Sequence, residues 1–168
     1  MKHKRLLELI VLALLGALMF AAKMCLAGLP NIEPVSLLVI VYTVVFGKKA
    51  LYPIYVYVML EILFWGLGLW NIMYLYVWLV LFLLVLLMRS MKSSWGWAIL
   101  SGAFGLSFGL LCTPVYLITG GWAVGLSWWV SGIPWAVVHG VGNFVIALVL
   151  VRPLSVGLEK LKKRYLAI

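Results

Sequence analysis

Six runs of this chain are almost purely apolar: Leu6–Ala27, Pro34–Phe46, Ala50–Trp70, Ile72–Met88, Trp95–Ile118 and Trp128–Val151. Crossing about 30 Å of hydrocarbon at 1.5 Å per residue takes about 20 such residues. Most of the runs meet that length, some only just. The second is short and is expected to tilt or to borrow length from its neighbours. A water-facing domain spends about a quarter of its residues on charge. Here 10% of 168 residues are charged and 67% are apolar, with a mean hydropathy of +1.20. That excludes a soluble enzyme, a disordered chain and a secreted disulfide scaffold. The chain reads as one membrane domain over residues 1–168, all-α, with six transmembrane helices. The connections, 28–33, 47–49, a tight break at Trp70-Asn71, 89–94 and 119–127, leave no room for a soluble domain.

Thirteen basic residues face four acidic ones, and Asp is absent. Placing both termini in the cytoplasm puts every basic residue except Lys23 on the inner side, as the positive-inside rule requires. Topology therefore accounts for the surplus charge, and no nucleic-acid partner is needed to explain it. The opening Lys-His-Lys-Arg and the run after it resemble a signal peptide. The run is too long for a signal core and Lys23 interrupts the cleavage region, so an uncleaved first helix is expected. Residues 154–166 place Leu158, Leu161 and Tyr165 near one face and Lys160, Lys162, Lys163 and Arg164 mostly elsewhere. This is the pattern of an amphipathic basic helix lying on the inner leaflet of the lipid bilayer.

Each charge inside hydrocarbon costs at least about 2.5–3.5 kcal/mol by insertion scales, so each needs a reason. Lys23 falls near the outer end of the first span, Glu61 just outside the middle of the third, and His139 near the middle of the sixth. Asn143 follows His139 by one turn, on the face shared with Trp135, and Glu33 sits in the outer loop. Lys23 has snorkelling as its plain explanation, Glu61 a protonated packing contact, and His139 with Asn143 interhelical hydrogen bonding. The alternative is an outward-opening cavity that all of them serve. Trp95, Trp97, Trp128 and Tyr165 are explained by the interfacial aromatic belt. Trp65, Trp70, Tyr74, Trp78, Trp122 and Trp135 concentrate in the outer half, where flat amphipathic rings suit a bulky ring-containing ligand. The candidate substrate-binding set is therefore Lys23, Glu33, Glu61, Trp65, Trp70, Asn71, Tyr74, Trp78, Trp122, Trp128, His139 and Asn143.

Catalytic chemistry has little to work with. There is no phosphate-binding glycine loop with Lys-Ser/Thr, no Gly-x-Ser-x-Gly and no His-Glu-x-x-His. One deep carboxylate without an Asp cannot form an acid–base pair. No catalytic residue, metal site or cofactor is expected. Cys25 and Cys112 lack metal-ligand spacing and read as small buried hydrophobes.

The first span also carries Ala13, Ala17 and Ala21 with Gly16 alongside. Four residues advance about 400° around a helix, so the three alanines stay within about 80° and permit close approach of another helix. Packing within the bundle is the plain alternative. This stripe resembles that of the substrate-binding S component of an energy-coupling factor (ECF) vitamin transporter. So do Pro30-Asn31-Ile32-Glu33, Val45-Phe46-Gly47-Lys48-Lys49-Ala50, Gly132-Ile133-Pro134, His139-Gly140 and Asn143-Phe144. The resemblance implies a bacterial plasma-membrane protein that captures a micronutrient from outside. Its partners would be a transmembrane coupling subunit, docked on Ala13, Ala17 and Ala21, and two ABC ATPases. Release would follow when the subunit topples in the membrane. The pattern is most similar to the cobalamin-specific S component. Other readings are a different ring-containing nutrient such as a queuosine precursor, or a structural membrane subunit of rod-shape-protein type.

Overall fold

The computed structural model describes residues 2–29 and 32–166. Helices α1 (Lys2–Cys25), α2 (Val35–Phe46), α3 (Leu51–Trp65) and α4 (Leu69–Leu87) are followed by a helical stretch, Ser94–Leu161. Gly121 breaks that stretch with φ +77° and ψ −178°, leaving two arms, α5 (94–120) and α6 (122–161). A short 3-10 segment, Gly47–Ala50, joins α2 to α3, and a π turn, Lys162–Leu166, follows α6. No strand occurs among the described residues. A helix satisfies its backbone groups internally, as a segment in lipid must, and here even the Val- and Ile-rich segments are helical. Four helical stretches are long and apolar enough to cross a membrane: Lys4–Cys25, Val35–Trp65, Leu69–Leu87 and Ser94–Arg164.

Two of these stretches double back, and side-chain contacts fix the directions. α1 and α3 run parallel: Lys49 Nζ meets Glu8 Oε1 at 2.5 Å at one end, and Lys23 Nζ meets Glu61 Oε2 at 2.6 Å at the other. Between them Gly16 lies so close to Pro53 and Val56 that a Cβ there would collide with both. α5 and α6 run antiparallel. Trp95 meets Phe144, Phe108 meets His139, and Tyr116 stacks on Trp128 with ring centres 4.0 Å apart. Gly105 allows the backbone of α5 to approach Gly140.

α2 forms the middle of the bundle, and of its twelve residues only Val44 is not buried. Tyr42 donates to the Leu15 carbonyl of α1, and Asn143 Nδ2 donates to Ser36 Oγ at 3.0 Å. At the other end Arg89 Nε and Lys162 Nζ donate to the carbonyls of Val44 and Val45. These cations complete the C-terminal end of α2, where helix carbonyls lack internal partners. Lys48 and Lys49 lie beside them, so one end of the bundle is basic.

Several expected boundaries move. The run Ala50–Trp70 stops being helical at Trp65, because Gly66 takes φ +80° and Gly68 is extended. The expected break at Trp70-Asn71 is instead the first turn of α4. The loop 119–127 shrinks to the break at Gly121, and the sixth helix begins at residue 122 rather than 128. Residues 154–161 continue α6 through Pro153 instead of starting a separate helix. Trp97 is buried rather than interfacial, and Cys25 is exposed rather than buried. Pro30, Asn31 and the side chain of Tyr165 lie outside the described residues.

Candidate functional site

At the end of the bundle away from Lys48 and Lys49, a cavity of two lobes opens between α4, α5, α6 and the chain before α2. The larger lobe, about 630 Å³, is walled mainly by Trp70, Tyr74, Phe108, Tyr116, Trp128 and Trp135. The smaller lobe, about 200 Å³, lies against Lys23, Ile32, Glu33 and the 26–29 turn. Tyr74, Phe108 and His139 border both lobes, so the two adjoin at these three side chains.

The sixth-helix wall follows from helical spacing. Trp128, Ser131, Gly132, Trp135, Ala136 and His139 recur at intervals of three or four, which puts them on one face. The small residues keep that face open: no atom lies within 4 Å of where a Cβ on Gly109 or Gly132 would sit. Tyr74 is held from behind by Tyr57 and Trp78, with ring centres 6.2 and 5.4 Å away. Trp78 in turn meets Phe104 and Phe108. The aromatic wall is thus backed by a second aromatic layer, which fixes its rotamers.

The polar lobe is organised as two pairs. Lys23 and Glu61 form the first. Lys23 Nζ also lies 3.4 Å from the Tyr74 hydroxyl and 5.2 Å from the centre of that ring. Glu61 is 1% exposed, so Lys23 is what makes its charge tolerable in the interior. The second pair is Glu33 Oε1 and His139 Nε2, 3.4 Å apart. Both atoms are buried and neither has a hydrogen-bond partner. That separation is beyond a good N–H···O bond, so each has capacity left for a third group.

The twelve expected binding residues separate into two groups. Lys23, Glu33, Trp70, Tyr74, Trp128 and His139 line the cavity, and Glu61 joins them through Lys23. The other five do not line it. Trp65 and Trp122 are exposed on the outside of the bundle, at 51% and 76%. Trp78 is buried behind the wall. Asn71 is also buried: its Oδ1 accepts from the Gly68 N–H at 2.6 Å and starts α4. Asn143 joins α6 to α2 below the cavity. Sequence reasoning missed Phe108, Tyr116 and Cys112 as lining residues. The glycines at 105 and 109 in the fifth run were the available signal, since glycine at helical spacing makes room beside a helix. Ala13, Ala17 and Ala21 are exposed on α1, whereas Gly16 is the small residue packed inside.

Among the described residues no group of three or more His, Cys, Asp or Glu side chains is placed to hold a metal ion. The arrangement can stack a flat ring between aromatic faces and hydrogen-bond its edge to a carboxylate and an imidazole. Compared with protein-family models, with curated proteins and with solved structures, the chain matches none.

Proposed function

We propose that this chain is the membrane-embedded substrate-binding subunit of an ECF-type vitamin importer, with six membrane crossings and both termini in the cytoplasm of a bacterium. The observation that carries the proposal is the two-lobed aromatic cavity at the end of the bundle opposite the basic residues. Small-molecule sites are largely apolar clefts of about 300–1,000 Å³ with a few placed polar groups, and this cavity fits that description. The positive-inside rule assigns the basic end to the cytoplasm, so the cavity faces outward. The exposed alanines of α1 give a coupling subunit a smooth helix face on which to dock. The chain has no nucleotide-binding motif, and accumulation against a gradient requires an external energy source. Two ABC ATPases acting through that coupling subunit would supply it.

The resemblance makes cobalamin the first ligand to test. The cavity volume favours a second reading, in which the ligand is a smaller ring-containing nutrient of the size of a queuosine precursor. A corrin ring with its side chains would extend well beyond the larger lobe. A rod-shape-type structural subunit needs no such cavity and is the outcome if nothing binds.

The deciding experiment reconstitutes the purified protein in liposomes, with and without a coupling subunit and two ATPases. Labelled cobalamin or queuosine precursor should bind the protein alone without accumulating, and should accumulate only with the partners and ATP. Accumulation by the lone protein on a proton or sodium gradient would overturn the proposal. It would make Glu61 and His139 ion-coupling residues instead.

A further inference from the structure

The unpartnered atoms of the polar lobe carry an inference about ligand chemistry. Lys23 is occupied by Glu61 at 2.6 Å, so the positive charge nearest the cavity is already matched. Glu33 is the carboxylate left over, and its buried Oε1, 3.4 Å from His139 Nε2, has no hydrogen-bond partner. An anionic ligand group in this lobe would meet a carboxylate of like sign, which disfavours it. A ligand offering only acceptors would leave that oxygen buried without a donor, which is also costly. The Glu33 oxygen is therefore the atom that calls for an N–H donor from the ligand.

Shape narrows the choice further. Tyr74 and Phe108 border both lobes, so a group reaching Glu33 from the larger lobe passes between aromatic rings and His139. His139 sits edge-on to Phe108, with ring centres 5.0 Å apart, and is 4% exposed. A flat ring fits that passage better than a flexible chain. A carboxylate pairs best with two parallel N–H donors on nitrogens that share one carbon, the fork found in guanidinium and amidine groups.

We infer that the polar lobe selects a planar heterocycle bearing an amidine-type edge, as in a 2-aminopyrimidin-4-one ring, with both N–H donors directed at Glu33 and His139 as the neighbouring contact. This rests on the binding-subunit reading and adds the chemical class of the ligand. The aromatic wall of the larger lobe then holds whatever substituent the ring carries on its far side.

The test uses guanine, which has this edge, and hypoxanthine, the same ring without the 2-amino group. Each is titrated against the purified full-length protein, with tryptophan fluorescence and calorimetry as readouts. Sites built to hydrogen-bond a ligand group reject analogues lacking it by large factors, so guanine should bind on the order of 100-fold tighter or more. Glu33→Gln replaces one acceptor oxygen with an N–H donor and should remove most of that preference, while Glu33→Asp should retain part of it. The wild-type comparison stands even where a variant fails to fold. Equal binding of the two purines, no binding of guanine, or an unchanged preference in folded Glu33→Gln would each overturn the inference. Cobalamin binding by a protein that ignores guanine would sink the amidine-edge assignment and leave the binding-subunit reading standing. Failure to bind cobalamin, queuosine precursor and guanine alike, together with failure to assemble with a coupling subunit, would remove both.

Discussion

At the basic end of the bundle, Arg89 and Lys162 hydrogen-bond the last carbonyls of α2, and Lys49 is paired with Glu8. At the opposite end, Glu33 Oε1, Glu61 Oε1 and His139 Nε2 are buried and unpartnered around a cavity. The cations at the first end supply donors to the α2 carbonyls, although Ser155 Oγ there is also without a partner. At the second, polar groups leave hydrogen-bonding capacity unused, at a cost of about 1–3 kcal/mol for each buried unsatisfied group. On the proposed function, a bound ligand would supply the missing partners.

The largest expected effect separates the cavity from transport altogether. Ala17→Trp adds bulk to the exposed face of α1, which does not line either lobe. It should abolish ATP-driven uptake in the reconstituted system and leave ligand affinity of the isolated protein unchanged. Normal uptake by this variant would mean that no helix docks on the stripe.

Lys23→Met tests whether the cavity end depends on its internal pair. It leaves Glu61 buried without a cation, a change that typically costs about 3–5 kcal/mol. Thermal unfolding in detergent should show a clear loss. The double variant Lys23→Met, Glu61→Leu should recover much of it, because replacing a buried pair by apolar groups is often neutral. A single variant as stable as wild type would show that the pair contributes nothing.

Trp70→Ala with Trp128→Ala strips two faces from the cavity wall. Stacked aromatic contacts contribute about 0.5–1.5 kcal/mol beyond their area, so the pair should weaken binding by about tenfold or more. Trp95→Ala, on an exposed position near the start of α5, should leave binding unaltered. Equal losses at the two ends would remove the contrast on which the site assignment depends. The smallest effect is expected for Ser36→Ala. It removes the acceptor of Asn143 from a helix–helix bond of a kind that averages about 0.6 kcal/mol in membrane proteins. Unfolding should shift slightly, and binding should not.

How much of this was legible depended on which physical signal a residue carried. Apolar run length located the helices, because hydropathy is what lipid reads. The same signal misplaced the break between the third and fourth. Asn71 is polar in an apolar run, a pattern that reads as a turn, yet its side chain caps the helix it belongs to. The glycines at 66 and 68 were the turn residues. Burial was harder: α1 and α2 are both strongly apolar, but α2 is buried almost throughout and much of α1 is exposed. Composition cannot distinguish a helix facing lipid or a partner from one facing other helices. Among the tryptophans, Trp122 and Trp128 are both in the expected binding set, but only one lines the cavity. Six positions advance about 600°, which places them on widely separated faces of one helix. Only Trp128 falls in register with Trp135 and His139.

The brevity of α2 has a consequence for how far a ligand must travel. Twelve residues rise only about 18 Å, against a hydrocarbon layer of about 30 Å. On the proposed orientation, Lys48 and Lys49, exposed just past its end, sit at the inner headgroups. The shortfall of about 12 Å therefore opens on the cavity side. The space above the start of α2 would then be a well sunk into the thickness of the bilayer. On the proposed function, a ligand resting at its floor, still in contact with outside water, would have covered about two fifths of the apolar barrier.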